Sequence, residues 1–311
     1  MSEVAEARGA EVASRDPVSG AVWRRFEALD EEGVREAVAR ARRAQPAWAA
    51  CSARARARVV ARFHDLLVER RADAARTIRR EMGKPAQEAL ASEVVPVLDH
   101  ARFLAREAPR ALRTRRLHAG GLAHLRKRVT IAHEPFGVIG VISPWNYPLM
   151  LAAAHVLPAL VAGNAVVLKP SELTTSTGVL LVELLHEAGV PAEVLQLVPG
   201  AAVTGTALVE TCDKIFFTGS EATGRAIAHR CAERLIPCVL ELGGSDPAIV
   251  LDDAAVEVAA AGIAWGRFSN CGQTCVAPKR VFVVDAVYDR FVGALGERIS
   301  ALSVGDPDAG A

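Results

Sequence analysis

The chain of 311 residues has almost no net charge: 37 Lys and Arg against 36 Asp and Glu leave +1. That balance removes any general argument for nucleic acid or an acidic surface as partner. The arginines between positions 35 and 80 alternate with acids and alanines, as on a solvated helical face. Long apolar runs are also missing. The longest, residues 149–163, contains His155 and Pro158 and falls short of the ~20 residues needed to cross a bilayer. A buried core helix is expected there, and no membrane partner. The start is polar and acidic, with no basic region followed by an apolar run, so no secretory leader is expected. The six cysteines (Cys51, Cys212, Cys231, Cys238, Cys271, Cys275) are not clustered in a short, loop-rich chain. Scattered free thiols suit a reducing compartment, and a cytoplasmic location is expected. Cys271 and Cys275 have no His or second cysteine pair nearby, so no metal site is expected. There is no internal repeat and no low-complexity linker.

What is present is an apolar fraction of 51%, enough for a sizeable core in one large or two ordinary domains. Residues 30–112 carry helical periodicity, seen in Val34, Val38, Ala41, Gln45 and Trp48 and again in Val59, Val60, Phe63, Leu66 and Leu67. Asp30 suits a helix start and Gly83-Lys84-Pro85 a stop. These helices are expected to pack on one side of a sheet. Residues 113–134 read as an exposed hairpin, with Arg115, Arg116, Arg126, Lys127 and Arg128 around a turn at His118-Ala119-Gly120-Gly121. It is either an arm that pairs with another subunit or an ordinary surface hairpin.

Between 137 and 242 short apolar runs alternate with helical stretches. The runs are 138–142, 165–168, 194–198, 214–217 and 238–242; helices are expected over 171–188 and 220–234. Continuous apolar strands separated by helices indicate an α/β fold, a doubly wound parallel sheet covered on both faces. Such sheets bind ligands at the carboxyl ends of their strands. The polar and glycine motifs fall at those ends: Ser143-Pro144-Trp145-Asn146, Lys169-Pro170-Ser171-Glu172, Val198-Pro199-Gly200 and Thr218-Gly219-Ser220. From 245 a new unit begins, with strands at 248–251 and 281–284 and helices over 254–270 and 287–302.

Two residues suggest covalent chemistry. Cys275 follows Gly272-Gln273-Thr274, where glycine lets the backbone turn closely around a reacting group. Its thiol would need a lowered pKa or a nearby base; the alternative is a structural cysteine. Glu241 lies in an apolar strand and is followed by Leu242, Gly243 and Gly244. A buried carboxylate is costly unless paired, so it reads as a base or as half of an ion pair. Asn146, between Pro144 and Pro148, is either an oxyanion donor or a helix cap. Lys169 and Glu172 could grip ribose hydroxyls, or lie as free charge near a helix start. Thr218-Gly219-Ser220 opens a helix and could face a pyrophosphate, though no glycine-rich dinucleotide fingerprint is present.

Together and in this order, Pro144-Trp145-Asn146-Tyr147-Pro148, Lys169-Pro170-Ser171-Glu172, Phe217-Thr218-Gly219-Ser220, Glu241-Leu242-Gly243-Gly244 and Asn270-Cys271-Gly272-Gln273-Thr274-Cys275 closely resemble the aldehyde dehydrogenase superfamily, from about Asp16 to Pro307. The resemblance implies NAD(P)-dependent oxidation of a small-molecule aldehyde to a carboxylic acid. Cys275 would attack the carbonyl, Asn146 and the Cys275 amide would hold the oxyanion, and Glu241 would activate the water that releases the acid. Ser143, Pro144, Trp145, Lys169, Ser171, Glu172, Gly200, Gly219, Ser220, Leu242 and Gly243 would line the dinucleotide. Glu172 favours NAD, with NADP possible.

The implied organisation is a Rossmann-like cofactor domain over residues 1–113 and 136–243. A protruding oligomerisation arm covers 114–135, and an incomplete α/β catalytic domain covers 244–311. Family members normally continue past Pro307, and a full-length member is expected to be a homo-oligomer. The chain alone is expected to be unstable, aggregated or inactive. The alternative function is a catalytically inactive fragment or pseudoenzyme that still binds dinucleotide or a partner subunit. An acylating enzyme using coenzyme A is disfavoured by Glu241.

Overall fold

The computed structural model describes residues 11–117, 120 and 127–307. It opens with an antiparallel hairpin absent from the sequence-based expectations, β1 (Glu11–Arg15) and β2 (Val22–Glu27). Asp16 builds its turn by accepting the amides of Val18 and Ser19, and Gly20 closes it at φ +71°. Then come α1 (Glu31–Ala50), α2 (Ala53–Glu69), α3 (Arg71–Met82) and α4 (Ala86–Ala89). A π turn (Leu90–Val94) joins α4 to α5 (Val95–Ala111). Asp30 caps α1 by accepting the Gly33 amide at 2.9 Å, and Gly83 ends α3 in the left-handed region. The pair β3 (Arg115–Leu117) and β4 (Val129–Ile131) is antiparallel and exposed throughout. Arg126 and most of the expected turn (His118, Ala119, Gly121) lie outside the described residues.

Strands and helices then alternate: β5 (Val138–Ile142), α6 (Pro148–Val161), β6 (Ala165–Lys169), α7 (Thr175–Ala188), β7 (Leu195–Leu197), α8 (Ala202–Thr211), β8 (Lys214–Thr218), α9 (Glu221–Glu233) and β9 (Cys238–Glu241). The five strands form one parallel sheet in the order β7-β6-β5-β8-β9. The α/β, doubly wound architecture is therefore present. Strand order reverses between β5 and β8, which opens a crevice beyond their carboxyl ends. β5 and β6 are buried along their whole length, as sheets covered on both faces require.

The early helices do not share one side of the sheet as expected. α1 packs against α8 and strands β5 and β6, whereas α2 and α5 stack on α6. The reason is legible in α6, which is apolar almost all round and so needs cover on its outer side as well. Arg56 departs from the solvated arginine face. It is buried and donates to carbonyls of Trp48, Ala49, Cys51 and Val161, where α1 and α6 end. Burial lowers its pKa.

His155 of α6 stacks on Phe216 of β8 with ring centroids 4.7 Å apart. Burial first, and then the charge of His100, lower its pKa to about 4. An unfolded histidine titrates near 6.5. The folded pKa is depressed, so this contribution is fully present above pH ~6.5 and is lost as pH falls toward 4. Stability is expected to drop by up to about 3 kcal/mol over that window. Urea denaturation at pH 7 and pH 4.5 checks it: the His155→Phe protein should lose less than the parent, and an equal loss in both would assign the effect elsewhere.

Beyond Glu241 a second, smaller core forms. β10 (Asp246–Val250) and β11 (Pro278–Val283) pair in parallel, covered by α10 (Val256–Phe268) and α11 (Tyr288–Ser300). Val250, Val256, Ala260, Val287, Phe291 and Ala294 fill it. Apolar side chains also face outward here: Ile249, Val258 and Trp265 are 70%, 71% and 77% exposed. Among the described residues, no helix is long and apolar enough to cross a membrane.

Candidate active site

The loop after β5 carries Ser143, Pro144, Trp145 and Asn146. Asn146 does not cap α6: its Nδ2 donates to the Gln273 carbonyl at 2.8 Å. The amides that open α6, those of Leu149 and Met150, go instead to the Glu93 carboxylate at 2.8 and 3.3 Å. One residue on, the Tyr147 hydroxyl meets Thr274 Oγ1 at 2.7 Å. The two residues before Cys275 are thus tied to the loop that leaves β5.

The Cys275 loop is shaped by an unusual backbone. α10 ends at Phe268, short of the expected Asn270, and Asn270, Cys271 and Gly272 follow with φ of 53°, 54° and 73°. Two of these lack glycine's freedom, and such residues persist only where their surroundings hold them. Here the Glu88 carboxylate accepts the Asn270 amide at 2.5 Å, and Asn270 Nδ2 donates to the Asn146 carbonyl at 2.9 Å. Cys271 and Cys275 are both exposed thiols.

Glu241 corrects an expectation. It closes β9, the edge strand, and its side chain is exposed, so no buried carboxylate needs explaining. The chain just beyond it nevertheless reaches the thiol loop. A Cβ on Gly244 would lie 2.8 Å from the Cys275 carbonyl oxygen. Lys279 Nζ holds the Gly244 carbonyl at 2.5 Å, and Arg280 holds that of Ser245 at 2.9 and 3.1 Å.

The crevice between β5 and β8 has polar walls. The Ser143 and Thr218 hydroxyls, at the carboxyl ends of these neighbouring strands, are buried without a hydrogen-bond partner. Two glycines let backbone crowd the rim. A Cβ on Gly219 would lie 2.5 Å from the Phe217 ring, and one on Gly200 would lie 1.9 Å from Thr204 Oγ1. Gly200 also takes φ +152°. Lys169 is buried; its Nζ donates to Gly200 and Pro170 carbonyls at 2.7 and 2.9 Å and lies 3.6 Å from Glu172. Glu172 itself is 49% exposed. The Ser171 hydroxyl accepts the Leu173 amide, which shapes the same turn. Ser220 caps α9 by accepting the Thr223 amide, so its hydroxyl is already engaged. Leu242 packs on the first turn of α9, where a Cβ on Gly224 would meet it at 2.5 Å; Gly243 borders open space.

Beside the thiol loop lies a cleft of about 1010 Å³, bordered by Glu88, Tyr147, Trp265, Phe268, Thr274 and Val276. Sequence reasoning missed Lys84, Glu88, Glu93 and the amide of Asn270 as parts of this neighbourhood. Their signal was weak: charges recurring within an apolar helical run, with no motif of their own.

The sequence model described as "Aldehyde dehydrogenase family" matches residues 4–311. A putative succinate-semialdehyde dehydrogenase [NADP(+)] of Mycolicibacterium smegmatis is 42% identical over 87% of this chain, which spans 52% of that relative's length. An aldehyde dehydrogenase from Brucella melitensis biovar abortus 2308 superposes with a TM-score of 0.92 at 34% identity, covering 97% of this chain and 62% of its own. An NADP-dependent glyceraldehyde-3-phosphate dehydrogenase of Bacillus halodurans C-125, complexed with NADP, gives 0.90 at 39% identity, covering 96% and 63%. The chain spans about half the length of the first of these. On the extent of these matches, the chain belongs to the aldehyde dehydrogenase family.

Proposed function

We propose that this chain carries the thiol, oxyanion and dinucleotide parts of a site that oxidises an aldehyde to a carboxylic acid. The observation that carries the reading is the Asn146–Gln273 bond, joined by the Tyr147–Thr274 contact. Together they bring an amide donor and a thiol on separate elements into one neighbourhood. The Cys275 thiolate adds to the aldehyde carbon and the carbonyl π pair moves onto oxygen. The second Nδ2 proton of Asn146 and the Cys275 amide stabilise that oxyanion. A bound nicotinamide dinucleotide supplies the acceptor for the hydride that the tetrahedral carbon gives up, which leaves a thioester on Cys275. Glu241, whose exposed carboxylate lies three residues before the Gly244 contact with the thiol loop, would take a proton from the water that cleaves the thioester. The orphaned Ser143 and Thr218 hydroxyls and the crowded Gly200 and Gly219 fit such a dinucleotide. Its pyrophosphate would meet the backbone amides of α9 near Ser220 rather than the hydroxyl.

Lys169 and Glu172 would meet the adenosine ribose. The carboxylate favours NAD, while the named relatives add NADP as a second candidate. The cleft beside Thr274 and Val276 would take the aldehyde's substituent. The same reading locates the protein in the cytoplasm, divides it at 244, and gives the β3–β4 arm to a second copy. A dinucleotide-binding chain without turnover is the second reading, favoured by the exposure of Glu241. Mass spectrometry after incubation with a short aldehyde and NAD, with and without trapping of thioesters by hydroxylamine, separates the two. An acyl group mapped to Cys275, absent in Cys275→Ala, is expected. Dinucleotide binding with no acyl group at Cys275 would favour the second reading.

A further inference from the structure

One short segment, residues 81–93, holds four separate places around the crevice. Glu81 accepts the Ser176 and Thr177 amides at 2.8 Å each, which opens α7. Glu93 does the same for α6. Lys84 Nζ lies 2.7 Å from Glu93 with both side chains fully buried, and donates to the Asn146 carbonyl at 3.1 Å. The same cation sits 4.5 Å from the centre of the Tyr147 ring. Glu88 accepts the Asn270 amide. The Asn146 carbonyl is therefore a hub, to which both Lys84 Nζ and Asn270 Nδ2 donate. We infer that Lys84 and Glu88 are positioning residues, which hold the Asn146 donor and the thiol loop in fixed register through this hub.

The physical case rests on geometry that would not persist alone. Asn270 and Cys271 occupy the left-handed region without being glycine, and their surroundings must hold them there. Glu88 supplies a charge-assisted acceptor to the first of them. Lys84 is a point charge on a flexible stem, but buried beside Glu93 and the Tyr147 ring its Nζ still donates to the Asn146 carbonyl. Removing Glu88, or both charges of the buried Lys84–Glu93 pair together, leaves no buried charge unpaired and lets the hub drift. The inference rests on the proposed role of Asn146 only for its consequence in chemistry, and the two can be read apart.

The chain contains three asparagines, Asn146, Asn164 and Asn270, which makes the test direct. Two belong to the hub. Asn164 lies at the other end of β6, where its Oδ1 accepts the Phe136 and Gly137 amides and its Nδ2 donates to Ala159. In protein labelled with ¹⁵N-asparagine, Glu88→Gln should move the Asn270 backbone amide. The double variant Lys84→Met/Glu93→Gln, which removes both buried charges together, should move or broaden the Asn146 and Asn270 side-chain amides. Asn164 should stay put in both, and Lys84→Arg should restore part of the parent spectrum. Hub signals that stay unmoved, or an Asn164 pair that shifts as far as they do, would overturn the inference.

A second arm uses two electrophiles at Cys275. Iodoacetamide is displaced without an oxyanion, whereas p-nitrophenyl acetate acylates the thiol through one and releases p-nitrophenolate. Acylation should fall at least about tenfold in either variant while alkylation changes less than about twofold. Equal ratios would also sink the positioning role. Parent protein that alkylates but acylates no faster than Cys275→Ala, with hub amides responding as expected, upholds the inference and rejects the oxyanion reading of Asn146.

Discussion

With Asn146, the proposed oxyanion donor, replaced by alanine, acyl transfer to Cys275 is expected to slow by about 10²–10³-fold, the effect of losing one such donor. The donor matters because negative charge develops on the substrate oxygen only as the thiol adds. A preorganised N–H at that point lowers the barrier without having to reorganise. Asn146 is well placed to be preorganised. Its backbone carbonyl is gripped by Lys84 and Asn270, and one Nδ2 proton is fixed on Gln273, at 2.8 Å. The other proton is thereby aimed by a side chain that has little freedom left. The p-nitrophenyl acetate assay reads the effect without needing a cofactor. Alkylation by iodoacetamide should be nearly unchanged, because that displacement forms no oxyanion. If both reactions slowed alike, the substitution would have disturbed the loop, and the donor role would be lost.

The second large effect is on stability. Glu93→Leu leaves the Lys84 ammonium, 1% exposed in its side chain, without its carboxylate. It also strips the Leu149 and Met150 amides of their acceptor. Breaking a buried pair from one side typically costs about 3–5 kcal/mol, because the remaining charge is desolvated and unpaired. Replacing both partners is far gentler, and Lys84→Met/Glu93→Leu should recover most of that loss. Burial raises the Glu93 pKa despite the opposing pull of Lys84 and the two amides, so the ionised pair is held at some expense. Urea titration of Glu93→Leu, Lys84→Met and the double variant measures the coupling. A double variant no more stable than Glu93→Leu alone would contradict the account.

Much of the layout was legible in the chain because its causes are local. Continuous apolar runs located β5, β6, β7, β8 and β9 to within a residue or two; in β5 and β6 burial on both faces leaves no polar alternation to blur the run. Asp30 and Gly83 marked helix ends through capping chemistry that involves only their neighbours. The β1–β2 hairpin escaped notice because its strands are short, half exposed and rich in charge. The early helices were assigned to one side of the sheet because periodicity shows that a helix has an apolar face, not which surface that face meets. Glu241 was taken as buried because its strand is apolar, whereas burial at the end of an edge strand depends on what lies beside it.

The sequence by itself determined the class of fold, the family and the identity of the chemical groups: a thiol, an amide and carboxylates at strand ends. These follow from residue type and order. Only the tertiary structure decided which groups meet. It placed Gln273 and Thr274 against Asn146 and Tyr147, put Gly244 under the Cys275 carbonyl, and left the Ser143 and Thr218 hydroxyls bare at the crevice. It also disclosed Lys84, Glu88 and Glu93, whose importance comes from partners more than fifty residues away, save for Lys84 and Glu93 themselves. The reason is that a charge's effect depends on its distance and on the water around it, and neither is written along the chain.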